Sequence, residues 1–138
     1  MFEPIRFAQL LLGALTSDSD MHGTAIDLGP YINVGKREAY AVAHVALTST
    51  TTDNTVDIKL QESDGVSGAA TTVTSDWSDI SGASFTQTAH NGSAFVETFG
   101  QIKFLPTKRF LNCLVTLGGT GCAAELAVAA QLQGRYST

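Results

Sequence analysis

The chain has 138 residues, of which 43% are hydrophobic and 15% charged, and carries a net charge of −5. Charge is sparse beside the roughly 25% of typical soluble domains, and Thr, Ser, Gly and Ala fill the difference. The eight basic residues are scattered, adjacent only at Lys36-Arg37 and Lys108-Arg109, which excludes the clustered basic surface of a nucleic-acid binder.

A surface poor in Lys and Glu is easily desolvated and suits a protein packed against other proteins. The composition fits a hydroxyl-rich secreted β protein equally well. The run Leu10-Leu11-Leu12 falls far short of the roughly 20 apolar residues of a membrane-spanning helix, and neither a membrane partner nor a targeting segment is expected. The length matches one domain that buries roughly two-thirds of its unfolded surface without metal or disulfide.

In chain order, residues 1–23 lack a clean period. Phe7, Leu10, Leu11 and Ala14 have helical spacing, but Pro4 precedes them and the polar loop Thr16-Ser17-Asp18-Ser19-Asp20 follows, so an extended N-terminal arm is preferred. Residues 24–138 read as a single β-sandwich domain. A first strand fits Thr24–Leu28, stopped by Gly29-Pro30. Tyr40–Leu47 is apolar on both faces, as in a central or interface strand. Thr55–Gln61 alternates cleanly, with Val56, Ile58 and Leu60 on one face.

Glu62 to Asp79 is a long polar segment carrying the single tryptophan, Trp77, and its length allows a protruding loop or a short edge strand. A weaker strand, Ala83–Thr88, leads to a turn at His90-Asn91-Gly92-Ser93. Strands at Ala94–Thr98 and Gly100–Leu105 follow, the second with Ile102 and Phe104 inward and Gln101 and Lys103 outward. Last comes Arg109–Leu117, the tetrapeptide Gly118-Gly119-Thr120-Gly121 and Cys122–Gln133. This reads as a hairpin in the middle of a sheet. The sum is an all-β protein, an antiparallel β-sandwich or jelly roll of about eight strands with an extended N-terminal arm.

In that hairpin Cys113 lies opposite Leu126, on the order of 13 Å along the ribbon from Cys122. That is too far for a disulfide, so two free thiols suited to a reducing cytoplasm are expected.

Reactive constellations are absent from the pattern. Asp18, Asp20 and His22 alternate in a loop but lack the Gly and bidentate Glu of a calcium site. His44 has no zinc-ligand neighbours, and reads as a core or interface histidine with a hydrogen-bonded ring. His90 reads as a turn residue. No Ser lies in a Gly-x-Ser-x-Gly context, and the glycine tetrapeptide joins strands rather than opening a phosphate-binding helix. Glu62 and Asp64 fall in the loop without an evident partner. No cofactor, metal or catalytic residue is expected. Trp77, Tyr31 and Tyr40 offer the aromatic platform of a sugar-binding sandwich, although core packing explains them more simply.

The stretches Asp57-Ile58-Lys59-Leu60-Gln61-Glu62-Ser63-Asp64-Gly65 and Lys108-Arg109-Phe110-Leu111-Asn112-Cys113-Leu114-Val115-Thr116-Leu117-Gly118-Gly119-Thr120-Gly121 look like those of the small head proteins of tailed bacteriophages. These are encoded beside the major capsid protein and decorate or cement the shell. The likeness spans most of residues 24–134. It implies a virion protein on the capsid exterior, assembled in the host cytoplasm, without catalysis. Its partners would be the major capsid protein and itself, as a dimer or trimer. Tail or baseplate components share similar β-sandwich text, so that reading stays open beside the sugar-binding one.

Within the capsid reading, the apolar residues Phe2, Ile5, Phe7, Leu10, Leu11 and Leu12 of the arm are expected to lie across a capsid subunit. The uncharged strand faces bearing Tyr40, Val42, His44, Ala127 and Ala129 are expected to form the homo-oligomer contact.

Overall fold

The computed structural model describes residues 5–16, 20–28, 38–49, 51–64, 77–92 and 95–133. Within them lie ten strands and no helix: β1 (Ile5–Leu15), β2 (Asp20–His22), β3 (Ile26–Asp27), β4 (Ala39–Leu47), β5 (Thr55–Ser63), β6 (Ser78–Ser84), β7 (Thr88–Ala89), β8 (Val96–Phe104), β9 (Phe110–Gly118) and β10 (Ala124–Gln133). They form two antiparallel sheets packed as a sandwich. One sheet has the order β1-β10-β4-β8. The other runs β2-β9-β5-β6, with β3 also paired to β9 and β7 to β5.

Period-two patterning produces this arrangement directly. Val56, Ile58 and Leu60 of β5 are buried, as are Leu111, Cys113, Val115 and Leu117 of β9. From the other sheet they meet Ala41, Ala43, Val45 and Leu47 of β4 and Leu126, Val128, Ala130 and Leu132 of β10. Burying each Leu or Val contributes roughly 1.5–3 kcal/mol, and the alternation fixes which face of every strand turns inward.

The expected terminal hairpin does not form. β9 pairs with β5, while β10 pairs with β1 and β4. Both arms are central, as their apolar content requires, but in different sheets. Gly118 to Gly121 therefore carries the chain across the sandwich. Gly119 has φ +85°, and a Cβ there would come within 2.5 Å of the Asp53 carbonyl oxygen. The buried amide of Asn54 donates to the Thr120 carbonyl at 3.0 Å and holds the crossing in place. Cys113 and Cys122 are both buried and form no disulfide with each other, although the ribbon geometry expected to separate them is absent.

The N-terminal stretch also differs from expectation. Residues 5–15 are an edge strand hydrogen-bonded to β10 from Ile5↔Gln133 to Leu15↔Ala124, with a register break between Gln9 and Leu11. The Leu10 carbonyl accepts the Thr24 N–H at 2.7 Å, which ties this edge to the opposite sheet. Residues 1–23 are thus built into the sandwich wherever they are described. The two strands expected on either side of Phe99 are one, continuous through Gly100. Ile102 and Phe104 turn inward, and Gln101 and Lys103 outward, as expected.

Candidate functional site

Four strands present side chains on the outer face of the β1-β10-β4-β8 sheet. β4 pairs with β10 so that His44 lies beside Ala127, Val42 beside Ala129 and Tyr40 beside Gln131. On its other side β4 sets His44 against Phe99, Val42 against Gln101 and Tyr40 against Lys103. The five residues singled out from the sequence, Tyr40, Val42, His44, Ala127 and Ala129, are therefore contiguous. The small side chains in the middle leave an open depression of about 700 Å³, walled by Gln9 and Leu11 at one side and by His44, Phe99 and Gln101 at the other.

Phe99 dominates this surface. It is 78% exposed, and its ring stacks on the His44 imidazole with centroids 4.2 Å apart and planes within 7°. His44 in turn bonds the Glu97 carboxylate, so its ring is hydrogen-bonded as expected. Lys103 pairs with Glu38 at 3.2 Å, and Glu38 holds the lysine pKa above its ordinary value. On β8 Lys103 is thus ion-paired and the Glu97 carboxylate hydrogen-bonded within the chain, which lowers the cost of covering the face.

Phe99, Gln101, Gln9 and Glu97 were not singled out from the sequence. The signal was the outward series Glu97, Phe99, Gln101, Lys103, hidden by dividing the strand at Phe99. Of the residues expected to reach a capsid subunit, Leu10 is fully buried in this protein's own core. Leu11 packs against that core and lines the depression. Phe2 lies outside the described residues, as do the side chains of Ile5, Phe7 and Leu12.

The other candidate clusters resolve into supports for the fold. Asp20 accepts from the Thr116 hydroxyl at 2.7 Å, whereas His22 bonds Gln61 at 2.7 Å and stacks on Trp77. Asp18 lies outside the described residues, and among those described no three His, Cys, Asp or Glu group as metal ligands. Gln61 also donates to Asp79 at 2.7 Å, and with Lys59 this holds the Asp79 pKa below its ordinary value. Glu62 is a buried strand residue rather than a loop carboxylate. It accepts hydrogen bonds from the Thr107 N–H and hydroxyl and from the Lys108 N–H. Burial pushes the Cys113 thiol up to about 12, an inert state for a thiol. Trp77, at 9% exposure, stacks against β2 of one sheet while Tyr40 stands on the other. They do not share a platform, and Tyr31 lies outside the described residues.

No protein-family model matches the chain, and no curated protein matches it by sequence. Solved structures match by shape. The PBSX exported protein XepA superposes with a TM-score of 0.54 at 16% identity, covering 96% of this chain and 38% of that one. Dimeric latent PorU from Porphyromonas gingivalis gives 0.54 at 7% identity, covering 96% and 13%. The family 22 carbohydrate-binding module of Clostridium thermocellum Xyn10B gives 0.48 at 12% identity, covering 98% and 84%. The chain thus spans well under half of XepA and PorU. The likenesses to XepA and PorU are ones of fold.

Proposed function

We propose that this protein is a non-enzymatic structural component of a phage particle. It binds the outer surface of the capsid and stabilises the shell by bridging major capsid protein subunits. The observation that carries this reading is the outer face of the four-stranded sheet: a large, open, weakly ionic depression beside an aromatic ring left 78% exposed. Exposed apolar surface of this kind marks an interaction site. An adhesive role also needs no reactive constellation, and the polar clusters described above hold strands together instead. The resemblance of the β5 and β9 segments to phage head proteins supports the partner. Many copies, each making a modest contact with two or more subunits, raise the cost of opening the shell through multivalency.

Titrating the purified protein onto undecorated heads is expected to saturate at a symmetry-fixed copy number. Phe99→Ala is expected to raise the half-saturating concentration about tenfold, equivalent to about 1.4 kcal/mol. Binding confined to tails would move the protein to a tail or baseplate role. Binding to neither would overturn the reading.

A carbohydrate-binding function is favoured by one observation. The stacked Phe99–His44 pair, with the amides of Gln9 and Gln101 lining the same depression, has the elements of a sugar platform. Glycan-array binding abolished by Phe99→Ala would select it.

A further inference from the structure

Four large apolar side chains stand exposed among the described residues. Three of them, Phe95, Phe99 and Leu105, belong to β8 and its flanks. The fourth, Tyr40, is paired in register with Lys103 of the same strand. β8 ends its sheet: β4 is hydrogen-bonded on one side, and among the described residues no strand is hydrogen-bonded on the other. Edge strands in monomeric proteins are commonly blunted by bulges, prolines or unpaired charge. The opposite edge, β1, has such a register break. β8 has none, and it runs against β4 without interruption from Val96 to Phe104.

The chemistry of this edge is symmetric about Gly100. Residues equidistant from it, all turned outward, are Phe99 and Gln101, Glu97 and Lys103, and then Phe95 and Leu105. We propose that β8 of two copies pairs antiparallel about a twofold axis at Gly100, joining two four-stranded sheets into one that spans the dimer. In that register Glu97 of each copy faces Lys103 of the other, and opposite charges across an antiparallel pair stabilise it. The amide of Gln101 covers Phe99, and Phe95 meets Leu105. A twofold contact must be self-complementary in this way.

The glutamate and lysine already have partners in their own chain, yet their side chains remain 43% and 54% exposed and can accept a second. At the axis Gly100 brings no side chain. Its inner side is filled by the Phe85 ring, which lies 2.8 Å from where a Cβ would be. The Thr88–Thr98 hydroxyl bond, 2.6 Å long, fixes the strand from below. The second copy is the occupant that this charge order fits. A chain of net charge −5 repels its own kind over most of its surface, but here each negative group meets a positive one. The dimer does not depend on the capsid reading and is measured without capsids.

Native mass spectrometry and sedimentation velocity of the full chain at micromolar concentration are expected to show a dimer. Glu97→Lys and Lys103→Glu, each alone, place like charges across the axis and should raise the dimer dissociation constant at least tenfold. The double variant restores the pairing in reverse order and should recover dimerisation, a readout that a general loss of stability would not give. As a test of register, Phe99→Cys mixed with Gln101→Cys under diamide should cross-link faster than either variant alone. A monomeric or trimeric wild type, a double variant no better than the singles, or equal cross-linking of the unmixed variants would each overturn the proposal.

Discussion

Asn54 is fully buried, and its side-chain nitrogen donates to the carbonyls of Gly118 and Thr120 while its Oδ1 has no partner among the described residues. Removing the amide would take its 3.0 Å hydrogen bond from the Thr120 carbonyl at the crossing between sheets. Asn54→Ala is therefore expected to cost about 1–3 kcal/mol in urea unfolding. A larger loss awaits Gly119→Ala, since the added methyl meets the Asp53 carbonyl as well as an unfavourable φ. Cys113 makes a pH-dependent contribution. Its thiol is held protonated up to about 12, against an ordinary 9.0, first by desolvation. The unfolded chain loses that proton from pH 9 upward while the folded chain retains it. The stabilisation is complete below pH 9 and is lost as pH rises toward 12, by roughly 1.4 kcal/mol per pH unit. Cys113→Ala should flatten this alkaline slope, while its cavity lowers stability at neutral pH. Unfolding midpoints measured at neutral and alkaline pH decide the matter.

Among the elements, β1 separates what patterning reveals from what it conceals. Its partner β10 buries Leu126, Val128, Ala130 and Leu132, a period of two plainly legible in the chain. β1 itself carries a register break at Gln9 and Leu11 that shifts the alternation mid-strand, so the stretch imitates an aperiodic arm. Deleting residues 1–15 would uncover one whole edge of β10 and remove buried Leu10 and Leu15. The truncated protein is expected to unfold several degrees lower by calorimetry or not to fold, rather than to lose only an attachment. A similar masking affected β8, which was read as two strands parted at Phe99. The pairing of β9 with β5 instead of β10 was illegible for another reason. A glycine tetrapeptide suits a tight hairpin and a crossing alike, and only long-range packing chooses between them. Strand identities in β4, β5, β9 and β10, and the cluster Tyr40, Val42, His44, Ala127 and Ala129, were legible because each depends on local alternation. Phe99 was not, because exposure is a property of the assembled sheet.

At the scale of the molecule, the two sheets divide the work. The sheet built on β9 and β5 is cross-braced by polar contacts: Arg109 grips Asp27 with two hydrogen bonds of 2.9 and 2.7 Å, and Glu62 clamps residues 107 and 108. The sheet built on β10 and β4 keeps an open, weakly ionic outer face and an unblunted edge. An adhesive body of this form should associate through surfaces whose ions are already matched. On the capsid-binding proposal, attachment to heads should therefore weaken little as salt is raised from about 0.1 M to about 1 M, where the Debye length falls from about 10 to about 3 Å, in contrast to a docking driven by charge. A salt titration of head binding checks this.

The pairing of β1 with β10 also has a consequence for how the protein is made. The described strand that leaves the ribosome first has as its hydrogen-bonded neighbour the one that leaves last. Until then its backbone waits without a mate, and nearly all of the intervening chain must already exist. Such distant closure predicts slow folding, limited by the pairing of β1 with β10.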